Sequence, residues 1–212
     1  MLELVPYAEQ RARWPASGRH VMAAYDETSI VVYQAYKPSI ARHAVKHARL
    51  GGAEFSRERM SWIKPGFLWM MFRSGWASKV NQERVLAVRI ARAGFDALLA
   101  AAVHSSYVEA VYGAHAEWKQ ALSGSDVRLQ WDPDHDPHGN KLERRAIQLG
   151  LRGETLARYV DEWTLGIEDI TERVHAERAR VGSDALCTPR ERVYPVSDAA
   201  VAARLGVAPS ER

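Results

Sequence analysis

The chain of 212 residues carries one cysteine, Cys187, so it can build neither an internal disulfide framework nor a cysteine metal cluster. That scarcity favours a reducing, cytoplasmic setting. No apolar run is long enough to span a bilayer, and residues 1–10 hold neither a basic region nor the hydrophobic stretch that directs export. The expectation is a soluble protein without a membrane partner. Charge of one sign is scarce too: a net charge of +3, spread along the chain, permits a polyanionic partner without demanding one. There is no repeat, low-complexity tract or clear interdomain linker. With 47% apolar and 26% charged residues the composition is that of one globular domain.

Aromatic and basic residues are instead concentrated in one place. Residues 59–79 hold Trp62, Trp69 and Trp76 together with two Phe, three Met, two Gly and the cations Arg59, Lys64, Arg73 and Lys79. Within this segment Phe67 to Phe72 is an apolar run short enough for one buried strand or two helical turns, and its periodicity fits both. Pro65-Gly66 and Ser74-Gly75 are turn dipeptides, which puts Lys64 and Arg73 at the two mouths of a buried element, beside aromatic faces. Cations next to aromatic planes suit a ligand with phosphates and a flat ring, such as a nucleotide. A core hairpin or helix with snorkelling ends is the alternative.

Around it the pattern is mixed. Residues 1–18 read as an irregular arm. Ser29 to Tyr36, rich in β-branched and aromatic residues, reads as a strand. Pro38 opens a helix from Ser39 to about Leu50 that Gly51-Gly52 would end, with a basic face of Arg42, His43, Lys46, His47 and Arg49. Val85 to Ile90 alternates as a strand. Two helical pieces follow, near 93–103 and 106–121, capped between them at Ser105-Ser106. Val127 to Trp131 reads as a strand stopping at Asp132-Pro133. The loop 132–143 has oxygen ligands at calcium-loop spacing, but Pro137 stands where the turn-forming glycine is needed, so no metal is expected there, and His135 and His138 read as solvated. Leu142 to Gly150 is a short helix or strand, residues 154–161 a helix, and 162–170 a buried strand. A helix runs from Thr171 to about Arg180, and Ser197 caps a short one that Gly206 ends. The expected layout is an arm (1–18), one α+β domain (19–180) and a C-terminal extension (181–212).

Tyr33-Gln-Ala-Tyr36, Ser61-Trp-Ile-Lys-Pro65, Trp69-Met-Met-Phe-Arg-Ser-Gly-Trp-Ala77, Gln130-Trp-Asp-Pro133 and Ile147-Gln-Leu-Gly150 resemble the signature blocks of the family catalogued as domain of unknown function 4291. Membership names no reaction. The order of elements is also similar to that of ADP-ribosyltransferases, particularly the group that modifies nucleic acids. That similarity implies an ADP-ribosyltransferase-like core with a central antiparallel or mixed sheet, flanking helices and NAD as cofactor. It implies that Gln34 and Tyr36 orient the ribose and that a late carboxylate, Glu162, with Asp161 or Glu168 as alternatives, acts on the reacting centre. Gln34 departs from the pattern, since those enzymes place His or Arg there.

The leading expectation is therefore a nucleotide-binding enzyme, an NAD-dependent ADP-ribosyltransferase-like protein acting on nucleic acid or a nucleotide. Glu162 and Gln34 would be its catalytic residues. Its ligand would be held by Tyr36, Trp62, Lys64, Trp69, Arg73, Ser74, Trp76 and Lys79. The alternative is a non-catalytic module for RNA or single-stranded nucleic acid, in which the cations follow a backbone and the Trp residues stack bases. A hydrolase using His104 or His115 lacks a nucleophile motif.

Overall fold

The computed structural model describes residues 2–207. The run Ser29–Tyr36 forms strand β1, and Pro38–His47 forms helix α1, with Pro38 in the first turn as its fixed φ favours. The helix stops at Ala48, which takes the left-handed conformation (φ 50°), before Gly51-Gly52 is reached. Next come the short strand β2 (Ser61–Ile63) and helix α2 (Phe67–Ser74), so the ambiguous apolar run is helical. Gly75 closes α2 at φ 60°, a left-handed position that glycine occupies without steric cost. Strand β3 (Arg84–Ala91) leads into α3 (Arg92–Ala101). Strands β4 (Val127–His135) and β5 (Lys141–Leu151) form a long hairpin. Helix α4 (Gly153–Arg158) runs into a π-helical turn (Tyr159–Trp163), followed by β6 (Thr164–Asp169), α5 (Thr171–Arg178) and α6 (Ala199–Leu205).

These elements make an α+β fold with a curled, mixed sheet. One part is antiparallel, with β3 between β1 and β6. The other is centred on the β4–β5 hairpin, which pairs with β2 and takes two short parallel additions at Gly18–Arg19 and Val103–His104. The parts meet where Tyr33 and Lys64 exchange backbone hydrogen bonds, Tyr33 N–H to the Lys64 carbonyl at 2.7 Å and Lys64 N–H to the Tyr33 carbonyl at 3.2 Å. β1 reads as nearly continuous apolar sequence because both its faces are covered. Ile30 and Val32 enter one core cluster, and Val31 and Tyr33 enter the other. Among the described residues no helix is long and apolar enough to cross a membrane.

Several boundaries differ from the sequence expectation. β4 continues through Asp132-Pro133 to His135, so the acidic loop is a hairpin end rather than a free loop, and β5 is a strand throughout. Its carboxylates are committed locally. Asp134 is buried against Arg144 (Nε–Oδ2 2.8 Å, Nη2–Oδ2 2.6 Å), Asp136 accepts from Asn140, and Asp132 accepts from Gln148. His135 is not solvated, being 2% exposed with its ring stacked on Phe72 at 3.5 Å and on Trp69 at 5.3 Å. Burial there pushes its pKa down. Residues 103–104 form a strand where helix is expected, Asp198 rather than Ser197 caps α6, and β6 begins at Thr164.

Arm and extension are not separate bodies. Leu4–Pro6 pairs with Cys187–Pro189, Gln10 donates to the Thr188 hydroxyl (2.8 Å), and Tyr194 sits in the main core. Glu191 accepts the Phe67 N–H at 2.7 Å, so the extension supplies a partner for the first turn of α2. Residues 208–212 of the expected extension lie outside the described residues.

The Asp134–Arg144 pair allows a direct test, because removing one member of a buried pair leaves the other charge uncompensated. Asp134→Ala should cost about 3–5 kcal/mol in urea unfolding. A loss below about 1 kcal/mol would mean that water reaches Arg144.

Candidate functional site

Gln34 and Tyr36 lie two residues apart on β1 and so share a face. The adjoining β2 brings Ser61 to them. Gln34 is 3% exposed and fully engaged: its Nε2 donates to Tyr36 Oη and Ser61 Oγ, both at 2.8 Å, and its Oε1 accepts from Tyr159 Oη at 2.8 Å. Tyr36 Oη lies 3.0 Å from Ser61 Oγ. Burial pushes the Tyr36 phenol up to about 12, so it is a neutral hydroxyl at physiological pH.

This network forms part of the wall of a cavity of about 450 Å³. β2 and the turn after it contribute Trp62 and Lys64, and α2 contributes Met70 and Arg73, three residues apart on one helix face. The hairpin contributes Gln130 and Gln148, directly opposite across β4 and β5 and bonded to each other at 2.9 Å, while Gln82 enters ahead of β3. Gly150 is required by the close approach of β2, since a Cβ there would stand 2.6 Å from Met60 Sδ and 3.0 Å from the Trp62 ring. A second cavity of about 440 Å³, lined by Lys37, Phe55 and Arg59 among others, shares Tyr36, Met60 and Ser61 with the first. The two make one divided cleft.

Electrostatically the first cavity is cationic and rich in amides. Among the described residues no Asp or Glu lines it. Lys64 is 4% exposed, and burial, reinforced by the nearby Arg73 charge and opposed by Asp132, lowers its pKa to about 8. The arrangement can therefore hold an anion between Lys64 and Arg73 and can match amide or carbonyl groups against glutamine side chains.

Of the residues singled out from sequence, Gln34, Tyr36, Trp62, Lys64 and Arg73 meet at this cavity. The others do not. Helical geometry in α2 turns Trp69 away, into the stack with Phe72 and His135, and Trp76 packs edge-on against Phe67 in the second core cluster. Ser74 is buried and donates to the Met70 carbonyl (2.9 Å), a backbone-capping role. Lys79 donates to the Arg73 carbonyl (2.9 Å) at the C-terminal end of α2. Glu162 lies in the π-helical turn, outside the cavity wall, and accepts from Arg158 at 3.1 Å. Asp161 is held by Arg57 and Glu168 by Arg173, so neither alternative reaches the cavity. His104 bonds Tyr112 and His115 packs on Tyr107; among the described residues neither pairs with a carboxylate.

Gln82, Gln130, Gln148, Met60 and Met70 escaped the sequence reading as site residues. For Gln148 the signal is a polar side chain between the apolar residues Ile147 and Leu149; Gln130 lies on the polar face of an alternating strand and carries no such signal.

A buried ammonium without a partner lowers stability. The unfolded chain keeps Lys64 charged up to its ordinary pKa near 10.5, whereas the folded chain gives up the proton near 8, so the penalty is complete below 8 and vanishes as pH rises toward 10.5. Lys64→Met should accordingly be more stable than the parent by about 2–3 kcal/mol at pH 7, with the gain fading toward pH 10 in denaturant titrations. An unchanged or lower stability at pH 7 would show that the amine is solvated.

No curated protein matches this chain. The family model described as Domain of unknown function (DUF4291) matches residues 20–194, a span holding every residue that lines the cavity. With most of its length matched, the chain belongs to that family.

Proposed function

We propose that the divided cleft binds a nucleotide bearing a diphosphate, with NAD as the candidate, and that the protein is a nucleotide-binding enzyme that transfers ADP-ribose. The observation that carries this reading is the convergence of Lys64, Arg73, Trp62, Tyr36 and Gln34 with three further glutamines on one cavity. Lys64 and Arg73 supply the positive charge that draws in the diphosphate, with Arg73 gripping it, Trp62 offers a ring face, and the amides of Gln82, Gln130 and Gln148 pair with a carboxamide such as that of nicotinamide. The second lobe, with Phe55 and Arg59, gives room for the other half of a dinucleotide.

Cleavage of the nicotinamide bond builds positive charge on the ribose, which a fixed carboxylate favours. Among the described residues no carboxylate lines the first cavity, so that role passes from Glu162 to Asp132 acting from behind the wall, where it accepts from Gln148 (2.8 Å) and its charge acts on Lys64.

Calorimetric titration with NAD tests the binding. Arg73→Ala should weaken it by about 1.5–3 kcal/mol, the range of a charge-assisted hydrogen bond. Glu162→Gln should leave binding and turnover at parental levels, whereas Asp132→Asn should retain binding and lose turnover. Absence of NAD binding, or affinity only for oligonucleotides falling steeply with salt, would favour the nucleic-acid-binding module instead.

A further inference from the structure

Lysine is almost never fully buried unless it is paired. Lys64 stands out in this chain: it is 4% exposed, its Nζ is not among the fully enclosed polar atoms and so faces the cavity, and the carboxylate that acts on it, Asp132, does so as a charge and not through a hydrogen bond. Its position is not a packing accident at a chain end. The reciprocal backbone bonds with Tyr33 fix the Lys64 backbone at the seam of the two sheet parts, and the side chain lines the 450 Å³ cavity. Among the described residues the wall around it is otherwise neutral, built from amides, hydroxyls, methionines and Trp62, with Arg73 of α2 the one other cation and Asp132 of β4 the carboxylate acting from behind.

We propose that Lys64 is a nucleophilic amine that condenses with the carbonyl carbon of an aldehyde or ketone carrying a phosphate, which Arg73 holds in the same cavity. A desolvated lysine beside a second cation is the arrangement that makes an amine reactive near neutral pH. Burial and the Arg73 charge bring its pKa to about 8, so a substantial fraction is unprotonated under mildly basic conditions. In the reaction the nitrogen lone pair attacks the carbonyl carbon to give a carbinolamine. The hydroxyl then leaves as water, with the nitrogen's protons transferred to oxygen, so that amine plus carbonyl gives imine plus water. Tyr36 and Ser61 border the cavity as neutral hydroxyls able to pass those protons. The proposal rests on reading the cavity as a site for a phosphate-bearing ligand. On the nucleotide reading the fitting carbonyl compound is ADP-ribose, whose terminal ribose opens to an aldehyde once nicotinamide has left.

The test uses the unmodified protein, pyridoxal 5′-phosphate as probe and borohydride to fix any imine, read by intact mass and peptide mapping. The chain has six lysines. Near pH 8 the free-amine fraction of Lys64 exceeds that of an ordinary lysine by roughly 100-fold. A single adduct on Lys64, formed at least about tenfold faster than on Lys119 and rising with a midpoint near pH 8, is the expected result. Pyridoxal without its phosphate, or Arg73→Ala, should slow labelling of Lys64 about tenfold, and Lys64→Arg should abolish the adduct. Labelling spread evenly over surface lysines, or Lys64 reacting no faster than Lys119, would overturn the proposal even where NAD binds. A specific Lys64 adduct in a protein that binds neither NAD nor ADP-ribose would support it and remove only the nucleotide assignment.

Discussion

The paired backbone hydrogen bonds between Tyr33 and Lys64 are the constraint on which the rest of the site depends. They join the antiparallel β6–β3–β1 part to the hairpin-centred part and so set where the sheet curls. Because successive side chains alternate across a strand, fixing Tyr33 in the second core cluster sends Gln34 to the opposite face, toward Ser61 and Tyr159. Pro65-Gly66 then turns the chain, and Phe67 starts a helix whose first free N–H is taken by Glu191 from far along the chain. Arg73 reaches the cavity rim because that helix begins where it does. One seam positions β1, β2 and α2 together.

The cavity is polar in an unusual balance: amides, hydroxyls and two cations, with the carboxylates kept outside. Each of the three acidic residues suggested by element order has its own arginine, and all three pairs are substantially exposed, where a pair contributes little to stability. Their arginines therefore tie Asp161, Glu162 and Glu168 to the surface rather than activating them. Asp132 differs in being hydrogen-bonded to Gln148, a residue of the cavity wall.

Much of this was legible in the sequence, and what was not has physical causes. β1 is legible because β-branched, two-sided burial leaves a long apolar run, and β3 through the alternation of Val85 to Ile90. Lys64 and Arg73 were marked by the turn dipeptides beside them. Trp69 and Trp76 misled because aromatic content says nothing about direction. Only the helical period of α2, which six apolar residues cannot establish, turns Met70 and Arg73 to the cavity and Trp69 to His135. In sequence the hairpin end has the look of an acidic loop because Asp-Pro signals a turn by local propensity. Tertiary pairing overrode that signal: Asp134 is an ion-pair partner for a buried Arg144 on the facing strand, a contact no local window contains. Carboxylate placement failed for the same reason, since each partner arginine is chosen by the fold or by a helical turn.

The chain buries charge in two ways, and the contrast bears on function. At Arg144 the guanidinium is met by Asp134 with two short contacts, supplemented by the Pro15 carbonyl at 2.8 Å. That is how a structural cation is made tolerable, because attraction and hydrogen bonding offset desolvation. At Lys64 the compensation is slight, because the repulsion from Arg73 outweighs the attraction of Asp132. Packing does not demand this, for a methionine of similar length would fill the same space without the desolvation penalty. On the proposed reading, a fold that solves the problem at Arg144 and leaves it unsolved beside an open cavity leaves the partner of Lys64 to the ligand.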